Sequence, residues 1–495
     1  MPFAPTPSQS AALEALFEFV RGDGDCFVLT GGAGTGKTSL LGAFLEHLRA
    51  QRIAHQLLAP TGRAARILAS KTRGDARTIH GAIYQLDQLE VLENASGGSE
   101  TGLRLHFRLR DEGAFGALLV IDEASMIADQ ARTQDALRFG SGALLADLLR
   151  FARLAPRGER SSKIVFVGDP AQLPPVGQEL SPALSPEHLH QRYGLRVAAH
   201  ELREILRQRE GTALLDCATT LRDALQQRRY DRFQLGAPIP RPLERVEASI
   251  DVGAVSVGAG IELVVSAERE RQGSSALICG TNAAARDLNR AVRARLRGRE
   301  SAPIEERDLL LVNQNAPRYG LFNGDLVRVL EIEPETEVRR VVLNGVEQPI
   351  DLRFRPAVVG YRDPALGVTR VPCLLLENLL ESAERGLTPA EQRALLVDFR
   401  RRFPDLAPGS AEFSLALQDD PHYNALQVKY GYALTCHKAQ GGEWDRVVVH
   451  FGGMRALRSE GFFRWAYTAI TRARKQLLTI AAPRFEPGEP EGFAG

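Results

Sequence analysis

The pair Lys37-Thr38 stands where side chains could do phosphate chemistry. It closes the run GGAGTGKT, with Gly31, Gly36, Lys37 and Thr38 at the fixed places of G-x-x-x-x-G-K-[ST]. Glycines let a backbone turn tightly and aim several N–H groups at one anion. The segment Gly31, Gly32, Ala33, Gly34, Thr35 and Gly36 is therefore read as a phosphate cradle, with Ser39 just beyond it. The Lys37 ammonium would reach the β- and γ-phosphates of a nucleotide, and the Thr38 hydroxyl would sit on Mg²⁺.

Two further spots fit the same chemistry. The run ALLVIDEASM ends an apolar stretch in Asp122-Glu123. Asp122 is placed to hold Mg²⁺ through water, and Glu123 to orient and deprotonate an attacking water. The run KIVFVGDPAQLPPVG ends in Gly168-Asp169-Pro170, followed by Gln172, whose amide could report on a γ-phosphate. Read alone, Gly-Asp-Pro is equally a turn. Gln9 opens a helix one element before the glycine run. Its amide either pairs with an adenine edge or is a solvated helix-start group.

These residues need elements to hold them. The run Cys26 to Leu29 is apolar and β-prone. The helix after Lys37 shows an apolar face at Leu40, Leu41, Phe44, Leu45 and Leu48. A helix before it, capped by Ser8 or Ser10, carries Leu13, Leu16, Phe17 and Val20. LLAPTGRAARIL reads as strand, turn, helix, and RTIH starts another turn and helix. Between them lie Arg63, Arg66, Lys71, Arg73 and Arg77, opposed only by Asp75. Such a stretch either grips nucleic-acid phosphates or is a solvated helix face. Residues 86–109 alternate around a Gly/Ser/Asn loop, an inserted hairpin that is either a wedge or decoration. Tyr84 and Phe107 beside it are candidates for base stacking.

The 495 residues allow two to four domains. No apolar run spans a bilayer, and no secretory leader is visible. Five scattered cysteines form no C-x-x-C pair, which points to a reducing cytoplasm without disulfides or a zinc site. The net charge of +1 confines any nucleic-acid contact to a local groove. Basic residues are nearly all Arg. A Lys retained against that drift marks a place for a compact ammonium, Lys37 first and Lys438 next. A second α/β series starts at Ser275 and is interrupted from Glu331 by short β-prone runs that suit a small barrel. It resumes at Val428. The two series look alike in kind but not in motif.

In order along the chain stand PSQ, GGAGTGKT, APTGRAA, RTIH, VIDEASM, FVGDPAQLPPVG, REILRQ, ICGTN, GLFNGD, ALTCHKAQGGEWDRV and YTAITRAR. With these the sequence resembles the superfamily 1B DNA helicases of the RecD/Dda type, from Gln9 to about Leu478. The resemblance implies an α/β fold of two RecA-like P-loop lobes with ATP and Mg²⁺ between them. It implies domain 1A over 1–225 with a 1B hairpin at 85–113, domain 2A over 226–330 and 425–495, and an SH3-like 2B module over 331–424. Lys37, Asp122, Glu123 and Gln172 of the first lobe would act with Arg207 and Arg472, the latter as an arginine finger. Gln9, Gln440 and Gly441 would join the glycine run at the nucleotide, with Thr38 and Asp122 on the metal. Pro60, Thr61, Arg63, Thr78, His80, Asn282, Thr435, His437 and Lys438 would contact DNA. Trp444 and Trp465 are read as core packing.

About forty residues separate His80 from Asp122, room for a hairpin but not a helical domain. That and the β-rich second insertion favour 5′→3′ translocation. Unlike longer members of the family, the sequence starts almost at Gln9, with no helix-hairpin-helix module ahead of it and no nuclease motif. The expected partners are single-stranded DNA and single-strand/duplex junctions, with replication or repair proteins, for a monomeric cytoplasmic motor. An RNA-directed helicase, or a motor subunit that needs a partner to unwind, are the alternatives.

Overall fold

The computed structural model describes the chain except residues 1–4, 93–101, 112, 115, 132–136, 155–161, 205–212, 236, 239–251, 271, 300–302, 364–366, 409, 489–491 and 494–495. Arg207 and the turn of the inserted hairpin lie outside the described residues.

The strand Cys26–Gly31 sits inside a six-stranded sheet, ordered Ala76–Thr78, His55–Ala59, Leu118–Ile121, Lys163–Gly168, Cys26–Gly31, Val197–Leu202. Every pairing in it is parallel. A parallel sheet is covered on both faces, which is why CFVL and LLVI are uninterrupted apolar runs. Both are buried throughout. The helix Lys37–Ala50 lays Leu40, Leu41, Phe44, Leu45 and Leu48 against one face, fully buried, as its spacing predicts. The first helix, Pro7–Arg21, starts at least two residues earlier than expected. Its cap is Thr6, in a capping box with Gln9. The signal was legible as T-P-S-Q, the [ST]-x-x-[EQ] pattern with Pro at the first helical position.

A second six-stranded sheet runs Ala237–Pro238, Val252–Ala254, Ala473–Ile480, Trp444–His450, Ser275–Cys279, Ala433–Thr435, again all parallel. The two sheets are the centres of two α/β lobes. The helix Ala213–Gln227, expected in the first lobe, packs instead on the second: Leu214 and Leu221 share a core with Phe463 and Tyr467.

The β-rich insertion is larger than expected. Leu309–Val312, Leu326–Ile332, Ile350–Asp363, Gly367–Leu376 and Leu426–Tyr430 form one sheet. It closes on itself through pairing of Leu326–Ile332 with Ile350–Asp363, and Glu337–Val341 is added at its edge. Strands 309–312, 326–332 and 426–430 were read as part of the second α/β series. Strand period alone does not reveal which sheet a buried run will join. The inserted hairpin, Tyr84–Leu92 with Gly102–Leu109, gains Leu137–Phe139 as a third strand. Among the described residues, no helix is long and apolar enough to cross a membrane.

Candidate nucleotide and strand site

Gly34 (φ 83°) and Gly36 (φ 78°) carry the backbone from the strand Cys26–Gly31 into the helix Lys37–Ala50 in the left-handed region that favours glycine. The Thr35 hydroxyl donates to Gly32 O at 2.9 Å. Lys37 Nζ donates to Gly31 O at 2.7 Å and to Gly32 O at 2.9 Å, so the ammonium lies folded over its own loop. Gln9 is buried. Its Oε1 accepts from Thr6 N at 3.2 Å and its Nε2 donates to Thr35 O at 3.1 Å. It is therefore not a solvated helix-start residue. It braces the loop, and pairing with an adenine edge would have to replace those two bonds.

Asp122 and Glu123 follow the strand Leu118–Ile121, two strands from Cys26–Gly31. Glu123 N donates to Asp122 Oδ1 at 2.9 Å. Glu123 has φ 53°, rare for a side chain of its size and of a kind that clusters at functional sites. Burial raises the pKa of both carboxyls. Asp122 raises Glu123 further, while Arg472 and Lys37 pull Glu123 back down. Gln172 is buried, and its Oε1 has no hydrogen-bond partner among the described residues. Native proteins seldom leave such an acceptor unpaired unless a ligand or water uses it.

Arg472 comes from the other lobe, just past the helix Glu460–Ile470. It is 4% exposed. Its hydrogen bonds go to Thr468 O at 2.9 Å, Thr471 Oγ1 at 3.1 Å and Gly442 O at 3.4 Å, all in its own lobe. Its charge nonetheless reaches Glu123 in the first lobe. The Gln440 amide, expected at the nucleotide, instead donates across the lobes to Leu173 O at 3.1 Å. Gly441, at φ 73°, lies beside Ala64 of the first lobe.

The expected strand contacts fall into a common pattern. At one edge of each sheet the last two strands lead, at their end or two residues past it, to a threonine that opens a helix. In the first lobe, Thr61 Oγ1 accepts from Ala64 N and Thr78 Oγ1 from Gly81 N. In the second, Thr281 accepts from Ala284 N ahead of Asn282, and Thr435 precedes Cys436–Ala439. The lobes therefore share a strand–Thr–helix device that was missed in the sequence, where Asn282 was noted and Thr281 was not. Pro60 sits at the first such turn. Asn282, Asn313, Lys429, Thr435 and Lys438 line one pocket. Burial and the neighbouring charges of Arg385 and Lys429 push the Lys438 ammonium down to about 8. Exposed His437 stands beside it.

Three expectations change. His80 packs among Tyr84 and Phe139, and burial pushes its pKa down to about 4, so it offers no cation to a phosphate. Tyr84 is buried and donates to Asp147 at 2.8 Å, while Phe107 stacks on Phe139 at 4.5 Å. Both rings are committed to the lobe's core rather than to bases. Arg63 lies between the lobes, 4.3 Å over the Trp444 ring, with Nη1 buried and unpartnered among the described residues. Trp444 and Trp465 are buried, as read.

Other residues at the cleft went unnoticed. Tyr467 and Thr468 lie inside YTAITRAR, where only Arg472 was singled out. Arg222 stands against Gly32 and pairs with Glu201 at 2.9 Å, and nothing in its local sequence signals that placement.

A strand-end phosphate loop, an acidic pair and an arginine from a second parallel-sheet lobe define a P-loop NTPase of two RecA-like lobes. An AAA domain profile matches residues 15–178, and a UvrD-like helicase C-terminal domain profile matches residues 430–480. The chain is similar to the ATP-dependent RecD2 DNA helicase of Deinococcus radiodurans, 28% identical over 92% of this chain and 47% of that protein. It is also similar to the ATP-dependent DNA helicase Pif1 of Bdellovibrio bacteriovorus, 32% identical over 34% of this chain and 33% of that one. The Bacteroides Pif1 helicase solved with ADP-AlF3 and ssDNA aligns over 99% of this chain and 95% of its own, with 16% identity and a TM-score of 0.46. By its sequence relationships the chain is similar to superfamily 1B helicases of the RecD/Pif1 type. It spans about half the length of the RecD2 relative.

Proposed function

We propose that the chain is an ATP-driven DNA translocase that opens duplex DNA in the 5′→3′ direction, with the two parallel-sheet lobes as its jaws. One observation carries this reading. Glu123 of one lobe is close enough to Lys37 of the same lobe and Arg472 of the other for both cations to shift its ionisation. The parts of a phosphoryl-transfer site thus come from both sides of a cleft.

The residues fit ATP and Mg²⁺. A buried acid pair, a hydroxyl one residue past the loop lysine and an orphaned glutamine acceptor are the donor set such a ligand uses. Thr38 and Asp122 would hold the metal, which supplies charge neutralisation at the β- and γ-phosphate oxygens. The chain's own residues do the rest. Lys37 turns from Gly31 O and Gly32 O to the phosphates. Glu123 accepts the proton of the attacking water, and its raised pKa makes it a stronger base than a solvated carboxylate. Arg472 adds charge when the cleft tightens, a contribution of about 10³–10⁵ in rate. Because the finger belongs to the other lobe, hydrolysis and lobe movement are one event.

The threonine-capped turns support the strand path. They line one edge of each sheet, away from the phosphate loop, and present hydroxyls and helix starts to a backbone. Lys438, Lys429, Asn282 and Asn313 line one pocket that a strand phosphate would enter. Direction rests on the insertions, a hairpin in the first lobe and a small barrel in the second. Replication or repair proteins are the protein partners this activity would serve. The test is ATP-dependent opening of a tailed DNA duplex, with Lys37→Ala as the blank and RNA oligonucleotides as the comparison. Hydrolysis indifferent to every oligonucleotide would sink the proposal. Stimulation by RNA alone would replace it with the RNA-directed reading.

A further inference from the structure

The helix Glu460–Ile470 does more than lead into Arg472. Three of its side chains, Arg464, Tyr467 and Thr468, grip the first lobe in a row. Arg464 Nη1 donates to Pro170 O, and also to Gln172 O at 3.3 Å. Thr468 Oγ1 accepts from Leu173 N at 2.8 Å. Between them Tyr467, 1% exposed, makes two bonds with its one hydroxyl. It donates to Asp169 Oδ2 at 2.7 Å and accepts from Ala33 N at 3.0 Å. Ala33 is the third residue of GGAGTGKT, so one N–H of the loop read as a phosphate cradle is already bonded to an oxygen of the other lobe. That oxygen stands where an acceptor on a phosphate would compete for the same hydrogen.

We infer that Tyr467 is a positioning residue that reads whether the phosphate loop is filled and ties that state to the placement of Arg472. With Ala33 N–H on the Tyr467 hydroxyl, the helix is docked on residues 169–173 and Arg472 is held among Thr468, Thr471 and Gly442. A nucleotide phosphate that takes the Ala33 N–H displaces the hydroxyl. The helix must then re-seat, and Arg472, five residues on, moves with it. The groups facing the hydroxyl are Asp169 and, more weakly, Arg222, whose charge also reaches it. The phenol stays protonated throughout, because burial and Asp169 hold its pKa well above the ordinary value. The coupling is therefore an exchange of hydrogen bonds, with no titration involved.

The inference rests on reading the loop as a nucleotide cradle, and the experiment separates the two. Tyr467→Phe removes one oxygen and keeps the buried ring. In the native chain ADP must displace a hydrogen bond at Ala33, and in the variant it need not. Binding of a fluorescent ADP, without DNA and without turnover, should tighten by roughly threefold to tenfold, the worth of one net hydrogen bond. DNA-stimulated kcat should fall at the same time, because Arg472 loses its guide. A purely structural tyrosine would weaken binding or leave it alone. Unchanged or weaker ADP binding by a variant with the native melting profile overturns the inference and leaves the proposed function standing. If the native chain binds no ADP, the proposed function falls with it. Should the variant not fold, hydrogen exchange in the native chain decides. ADP should change exchange across residues 460–472 in the second lobe, and no change there overturns the inference equally.

Discussion

The six lysines show how a residue type acquires meaning from its surroundings. In a chain whose basic residues are nearly all Arg, Lys37, Lys163 and Lys429 act as compact multi-bond donors. Lys163 donates to Phe19 O at 2.6 Å, Val20 O at 3.1 Å and Gly22 O, stapling the end of the first helix to the sheet. Lys429 does the same for Ser382 O and Glu384 O. A planar guanidinium could not turn three donors onto such converging carbonyls. Lys438 has a different fate. With a pKa near 8 it loses its charge as pH rises through that value. A bound phosphate favours the ammonium, so strand binding should take up a proton and weaken between pH 7 and pH 9. Lys438→Arg should flatten that dependence, as read by fluorescence anisotropy of a labelled single strand at constant ionic strength.

Glu123 carries a second consequence. Its folded pKa is raised, so burial disfavours the carboxylate. The cost is absent below the ordinary carboxylate pKa and grows as pH rises from there toward the raised one. Glu123→Gln should therefore abolish turnover while retaining ATP and strand binding, and should melt higher than the native chain at pH 7 but not at pH 4. About 1 kcal/mol would move the midpoint by roughly 2–4 °C for a lobe of this size. Persistent turnover would remove Glu123 from the role of base. Lys37→Ala should abolish hydrolysis outright.

At the scale of elements, local pattern was readable and partnership was not. The apolar face of Lys37–Ala50, the buried runs ending in Asp122 and Asp169, and the existence of a β-rich insertion all follow from periodicity and turn residues. Membership of Leu309–Val312 and Leu426–Tyr430 in the barrel does not, because a short buried strand looks the same in either sheet. The start of the helix Gly62–Thr72 shows the same limit. In sequence it is a basic turn facing solvent or DNA. In the fold it is clasped by the other lobe: Arg66 pairs with Asp325 at 3.1 Å and lies 3.9 Å over the Tyr361 ring. Gly62 faces Phe322 so closely that a Cβ would stand 2.2 Å from the Phe322 Cβ. Two effects oppose each other at that glycine. Alanine gains about 1 kcal/mol of helix propensity, but overpacking a fixed contact costs ~1–3 kcal/mol. The contact should win. Gly62→Ala is expected to lower the melting midpoint and raise the radius of gyration in solution scattering. A higher midpoint with unchanged dimensions would mean the clasp does not persist in solution.

At the scale of the molecule, the contacts between the lobes among the described residues include Arg63 and Arg66 with the barrel and the Gly441–Trp444 turn, Tyr467 with the phosphate loop and Asp169, and Gln440, Arg464 and Thr468 with residues 170–173. Each set lies near a site with its own task, strand, nucleotide or the loop between them. The proposed motor requires that a change at one be felt at the others, which a static ATPase does not. Net charge bears on how such a motor would meet DNA. With +1 overall, long-range attraction is weak, and affinity must come from a few phosphate contacts in the groove. The logarithm of binding to a single strand should then fall with the logarithm of salt at a slope of only a few units, at about 0.7 per phosphate contacted. Polarity is the sharper test, because nothing in the charge or the lobes themselves sets it. In the proposed function, the strand turns at Thr61 and Thr78 in one lobe and Thr281 and Thr435 in the other would lay a strand across both lobes in a fixed order. The hairpin Tyr84–Leu92/Gly102–Leu109 stands on the first lobe and the barrel on the second. A duplex with a 5′ single-stranded tail should be opened, and the same duplex with a 3′ tail should not. Opening of the 3′-tailed duplex alone would reverse the direction while leaving the nucleotide site intact, since the cleft between Lys37 and Arg472 drives either one.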